Sequence, residues 1–219
     1  MNRKHLYLLI DTETANGLDD PIVYNFAAKL IDRNGNSYLS LSAINRDIFF
    51  GMPDLMNTAY YANKIPQYLE QIASGECVVM SWYEIKRWVW NICEQFNVKA
   101  VIAHNARFDY RSCSCTQRFE TSSQYRYFFP KDVEIWDTLA MARDVLSKRP
   151  TYQKWCAANG YTLKNGQPRL TAEIIYRFIT NDNEFVEEHK AMEDVNIECE
   201  IFWYLTSRKK AMRRKCFKD

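Results

Sequence analysis

Residues 6–14 read LYLLIDTET, an apolar run ending in two carboxylates one residue apart, Asp11 and Glu13. A continuous apolar run of this length fits a strand buried on both faces, and because side chains alternate along a strand, both acids point the same way. Like charges brought together where water is scarce are costly unless a cation neutralises them. A divalent metal ion is the natural partner; acids that merely cap the next turn are the competing reading, and the remaining acids decide between the two. Asp194 recurs with Ile197, Ile201 and Leu205 at helical spacing, which places it on the stripe that should face the core. An inward carboxylate also needs a partner. His189 precedes Asp194 by five residues, roughly 140° around a continuous helix, so the two converge only if His189 stands on the loop leading in. A loop histidine near a metal suits proton abstraction from water, its unperturbed pKa being about 6.5.

The elements that must position these groups can be read in turn. The chain has 219 residues, 47% of them apolar and 15% aromatic, enough for one well-filled domain over residues 1–207. Ile22–Ile31 and Ser37–Ile44 flank Asn34-Gly35, a tight-turn pair, so the first three strands form a meander. Pro66 opens and Gly75 closes a short helix, PQYLEQIAS. Ser81 and Glu84 form a capping box for a helix from Trp82 to Phe96, whose tryptophans, Trp82, Trp88 and Trp90, read as core and rim. A buried strand, Ala100–Ala103, runs straight into His104-Asn-Ala-Arg-Phe-Asp109, and a helix from about Arg107 to Phe119 follows. Then come a strand from Val133 to Trp136, an N-cap at Asp137, and helices over 138–147, 152–159 and 171–178, with a hairpin at Asn165-Gly166 and a last helix starting near Ala191. Strands first in a meander and then alternating with helices give an α/β fold, a mixed five-stranded sheet with helices on both faces.

The formal net charge is only +2, so nothing global demands a polyanionic partner. Its distribution is uneven: Arg208, Lys209, Lys210, Arg213, Arg214, Lys215 and Lys218 form a basic tail over residues 208–219 that either touches phosphates or is simply solvated. In TSSQYRYFFP, Arg126 stands among Tyr125, Tyr127, Phe128 and Phe129, which suits a single-stranded nucleic acid or an ordinary loop over the core. Seven scattered cysteines without a CxxC pair offer no zinc site and read as reduced thiols. The first apolar run is too short for a signal peptide or a membrane span, so a cytoplasmic location without membrane contact is expected.

Together, Asp11-Thr-Glu13, Ala103-His-Asn-Ala-Arg-Phe-Asp109 and His189-x4-Asp194, in this order, resemble the DEDDh branch of the DnaQ-like 3′-to-5′ exonucleases, with a texture closest to phage-encoded members. The resemblance covers most of residues 5–205 and implies a ribonuclease H-like fold. It further implies that Asp11, Glu13, Asp109 and Asp194 hold two Mg²⁺ or Mn²⁺ ions and that His189 is the general base. Thr12 and Thr14 would contact the terminal nucleotide. His104, Asn105 and Phe108 match the family's HNxxFD pattern, either as substrate contacts or as architecture. The implied reaction is hydrolysis of single-stranded or frayed DNA from the 3′ end to nucleoside 5′-monophosphates. RNA trimming uses the same chemistry, and a non-catalytic subunit that holds nucleic acid is the reading from another class. A separate polymerase is a possible partner; monomer and homodimer both stay open. The segments around 111–132 and 160–185 are longer and more aromatic than the pattern.

Overall fold

A computed structural model describes residues 5–124, 126–187, 189–209 and 211–217. In β1 (Leu6–Ala15), Tyr7 and Leu9 pack into one hydrophobic cluster while Leu8 and Ile10 pack into another on the opposite face. That alternation makes β1 the central strand between two helical layers. β2 (Ile22–Asp32) pairs antiparallel with β1, and β3 (Ser37–Asn45) pairs antiparallel with β2. The turn between them is closed by Asp32, whose carboxylate accepts the N–H groups of Asn34 (2.8 Å) and Asn36 (3.1 Å), with Gly35 at φ 85.

β4 (Val78–Met80), β5 (Ala100–Ala103) and β6 (Glu134–Asp137) complete a six-stranded sheet in the order β4-β3-β2-β1-β5-β6. β4 lies parallel to β3, and β5 and β6 are parallel to β1. The sheet is therefore mixed, as expected, but has six strands rather than five. The additional strand, β4, is three residues long, too short to show an alternation, and it exists only through its pairing with β3.

The helices, in order, are α1 (Arg46–Phe49), α2 (Pro53–Met56), α3 (Ile65–Ser74), α4 (Trp82–Gln95), α5 (Arg107–Glu120), α6 (Thr138–Val145), α7 (Pro150–Ala158), α8 (Ala172–Thr180) and α9 (Ala191–Arg208), with a 3₁₀ turn at Ala62–Lys64. One layer joins α6, α7, α8 and α9 to Tyr7, Leu9 and Ile31; the other joins α4 and the start of α5 to Leu8, Ile10 and Phe26. α1 to α3 close a third cluster around Tyr24, Ile44 and Tyr68. Buried Asn25 links these layers: its side-chain amide donates to the Ala43 carbonyl, and its oxygen accepts the N–H of Ala191 at 3.3 Å, fixing where α9 starts against the sheet.

Phe128 and Phe129 are core residues, Phe128 stacking on Trp82 with ring centroids 4.5 Å apart, so this part of the aromatic loop folds over the core. Tyr125 lies outside the described residues, as do Lys210 and Lys218 of the tail. The described part of the tail runs along β6: Cys216 N–H donates to the Ile135 carbonyl and Asp137 N–H to the Arg214 carbonyl, both at 2.8 Å, and Arg214 lies over the Trp136 ring. A short antiparallel segment thereby covers the edge of β6. All seven cysteines are buried free thiols. Among the described residues no helix is long and apolar enough to cross a membrane.

Candidate active site

The alternation that buries Tyr7 and Leu9 under α9 also turns Asp11 and Glu13 towards that helix. On α9, Asp194 is 5% exposed and faces back to the strand, and carboxylate oxygens of Asp11, Glu13 and Asp194 all lie within 4.8 Å of one another. A register shift in the β1–β2 pairing falls directly after Glu13, a bulge of the kind that re-aims side chains at the end of a strand. Thr12, pointing to the other side, donates its hydroxyl to the carboxylate of Asp109 at 2.9 Å. Asp109 sits in the first turn of α5, where β5 hands the chain over to the helix, and is 3% exposed.

Burial and mutual repulsion act on these acids together. Asp11 is pushed well above the usual carboxylate range by desolvation and then by Asp109, Asp194, Glu13 and Glu198. Glu13 is pushed up to about 9 by burial and by Asp194, against the pull of Lys64. Burial raises Asp109 to about 7, although the Thr12 hydroxyl bond draws it down. Such a cluster is stable with its charges in place only beside a cation, and an all-oxygen donor set suits a hard divalent ion. The donor chemistry fits Mg²⁺ or Mn²⁺.

His189 stands on the loop before α9, with left-handed backbone at φ 51, and its ring, the Glu187 carboxylate and Asp194 form a second group of possible ligands within 4.8 Å. The imidazole stacks on Tyr61, centroids 4.7 Å apart and planes 13° from parallel. Lys64 lies over the same tyrosine ring and donates to the His189 carbonyl at 3.4 Å. Burial, and then the Lys64 ammonium, hold the His189 pKa below its ordinary value, with Glu173 opposing. Both favour the neutral ring, the form able to accept a proton.

The HNxxFD residues divide by role. His104 is tied on both ring nitrogens, Nδ1 to the Thr138 hydroxyl at 2.9 Å and Nε2 to the Leu170 carbonyl at 2.8 Å, which requires a proton on Nε2, and burial lowers its pKa. Asn105 is exposed at φ 64 and lines the cavity described below, its N–H donating to Asp137 Oδ1 at 3.0 Å. The same Asp137 oxygen caps α6 through Leu139 N–H, so Asp137 is an N-cap that also holds the Asn105 turn. Phe108 is half-buried in the first turn of α5, and Thr14 half-buried beyond the bulge.

Sequence reasoning missed Tyr61, Lys64, Glu187 and Glu198. Glu198 had a legible signal, lying one helical turn beyond Asp194 on the same face. It is 3% exposed, and its Oε1 accepts the backbone N–H of His104 at 2.9 Å. Tyr61 and Lys64 approach from a segment more than a hundred residues away in sequence, and no local pattern announces them.

These groups open into one cavity of about 1070 Å³, lined at one end by Asp11, Glu13, Glu187, His189, Asp194 and Glu198. Its other wall comes from α6, the residues just after it and the 163–172 segment, and carries Arg143, Lys148 and Arg169. All three are exposed, and among the described residues none makes an ion pair. Asp144 on that wall is engaged by the N–H of Arg213 at 2.7 Å.

Compared with described protein families and with curated proteins, the sequence matches none. Solved structures do match. Exonuclease X in complex with 5′ overhanging duplex DNA aligns over 94% of this chain and 95% of that one, with a TM-score of 0.53 and 16% identity. The fold is that of the ribonuclease H-like exonucleases. Exonuclease I from Methylocaldum szegediense aligns at TM-score 0.54 and 21% identity, and Escherichia coli exonuclease I in complex with a dT13 oligonucleotide at 0.54 and 17%. In both, 94% of this chain is covered, but only 41% and 42% of the exonuclease I chain. This chain thus spans nearly the full length of the first neighbour and about two-fifths of the other two.

Proposed function

We infer that the protein is a metal-dependent 3′-to-5′ exonuclease of the DEDDh type acting on single-stranded or frayed DNA ends. The observation that carries this reading is the meeting of Asp11, Glu13 and Asp194 within 4.8 Å, with His189 beside Asp194 at the same cavity, on an exonuclease fold. Asp11, Glu13, Asp109 and Asp194 would hold two Mg²⁺ or Mn²⁺ ions. When bound, such ions polarise the phosphodiester and neutralise charge at the attacking and leaving oxygens.

The chain's own residues do the rest. His189, kept neutral by burial and Lys64 and oriented by its stack on Tyr61, takes the proton of the attacking water. Arg143, Lys148 and Arg169 give the strand a cationic wall for the phosphates that trail the scissile one. His104, bound on both sides, holds the 138 and 170 segments together at the floor, and Asn105 would bound the terminal nucleotide, whereas Thr12, Thr14 and Phe108 do not line the cavity. A polymerase partner, a single domain over residues 1–207 and a cytoplasmic location belong to the same proposal.

A 5′-labelled oligonucleotide incubated with and without Mg²⁺ or Mn²⁺ tests the reading. A ladder shortening from the 3′ end, absent without the ion and absent in Asp11→Ala, is expected. An uncut strand, or an Asp11→Ala protein that cuts as well as wild type, defeats it. Competing DNA against RNA of one sequence separates the exoribonuclease alternative, which differs in tolerance of the 2′-hydroxyl.

A further inference from the structure

The four acids named by motif leave one buried carboxylate in the cavity without a role. Glu198 follows Asp194 by one helical turn, so both side chains leave α9 on the same face. Oε1 is occupied by the N–H of His104, but Oε2, with no accessible surface of its own, has no hydrogen-bond partner among the described residues, and the side chain lines the cavity together with Asp11, Glu13 and Asp194. A buried carboxylate oxygen left without a donor is costly. Structural economy does not explain it: a glutamine would serve the His104 N–H without adding an acid.

We propose that Glu198 is a fifth acid of the metal centre, its Oε2 serving an ion there or a water that the ion carries. The placement fits Mg²⁺, which dehydrates reluctantly and keeps waters that need acceptors around it. Glu198 also couples the centre to the fold. Through Oε1 it holds the backbone of His104, and the His104 ring in turn holds Thr138 and Leu170, so one side chain links the ion to two segments of the cavity wall. This rests on the metal-centre reading above, and the test separates the two.

Titration calorimetry of the full chain with Mn²⁺, on wild type, Glu198→Gln and Asp11→Asn, reads affinity without turnover. Glu198→Gln keeps an acceptor for the His104 N–H and removes the charge. It is expected to weaken uptake of one ion by about tenfold to a hundredfold, the usual cost of losing an outer-shell metal partner. The gain in melting temperature on adding Mn²⁺ should be smaller for this variant than for wild type. If Mn²⁺ binding is lost in Asp11→Asn but unchanged in Glu198→Gln, Glu198 serves only the His104 N–H and the proposal is overturned while the metal centre stands. A wild-type chain that takes up no Mn²⁺ overturns both.

Discussion

At the scale of single residues, the site sets a crowd of buried carboxylates beside one imidazole. His189→Ala should lower turnover by about two to four orders of magnitude, the usual cost of losing a general base, while leaving Mn²⁺ affinity nearly intact. Because burial and Lys64 depress the His189 pKa, the acid limb of the pH–rate profile should fall below pH ~6.5, with activity rising as the ring loses its proton. Tyr61→Ala, which removes the stacked ring, should lower turnover more than Tyr61→Phe, which keeps it; equal rates in single-turnover assays would exclude Tyr61 as a positioning residue. Asp11, Glu13 and Asp194 were legible because strand alternation and the helical stripe each specify direction. Glu198 was overlooked because the apolar residues at 197, 201 and 205 define the same stripe without it. Contacts such as Tyr61 on His189 arise only from the folded topology.

At the scale of elements, the meander, α4 with its capping box and the buried face of α9 follow from local pattern. Both the Ser81–Glu84 cap and the Asp137 cap are present. What was not legible was pairing that depends on a distant partner, as in β4, and the covering of β6 by residues after α9. That covering makes a prediction. Deleting the chain from residue 211 onwards removes two backbone hydrogen bonds and the buried Cys216. At about 1 kcal/mol per bond, chemical denaturation should show a loss of roughly 2 kcal/mol or more. The opposite cavity wall is built by the end of α6 and the 163–172 segment, and on the proposed function it binds rather than stabilises. Replacing Arg143, Lys148 and Arg169 together with alanine should reduce the slope of log affinity against log salt for single-stranded DNA by about 2, at roughly 0.7 per phosphate contact. Fluorescence anisotropy in EDTA measures this, and an unchanged slope would remove the wall from the binding track.

For the whole molecule, the same acids couple stability to pH and metal. Glu13 titrates near 4.5 in an unfolded chain and at about 9 in the metal-free fold, so between these values the folded state binds more protons than the unfolded one. Asp11 and Glu198 act in the same direction. The metal-free protein should therefore lose stability as pH rises through this window, and a divalent ion should restore most where the loss is greatest, since ligands must shed their protons to bind it. Melting curves with EDTA and with Mn²⁺ across the window check the sign.

The seven cysteines carry a practical consequence. Each lies inside, and burial raises the pKa of every one, Cys93 and Cys199 to about 12. Since the thiolate is the reactive form, the native protein should be nearly inert to maleimides and to Ellman's reagent, releasing all seven groups only in denaturant. A single surface substitution such as Lys164→Cys, on the exposed hairpin beside the cavity, would then be the sole handle for a fluorophore, one that senses whatever enters the cavity with every native sulfur left in place.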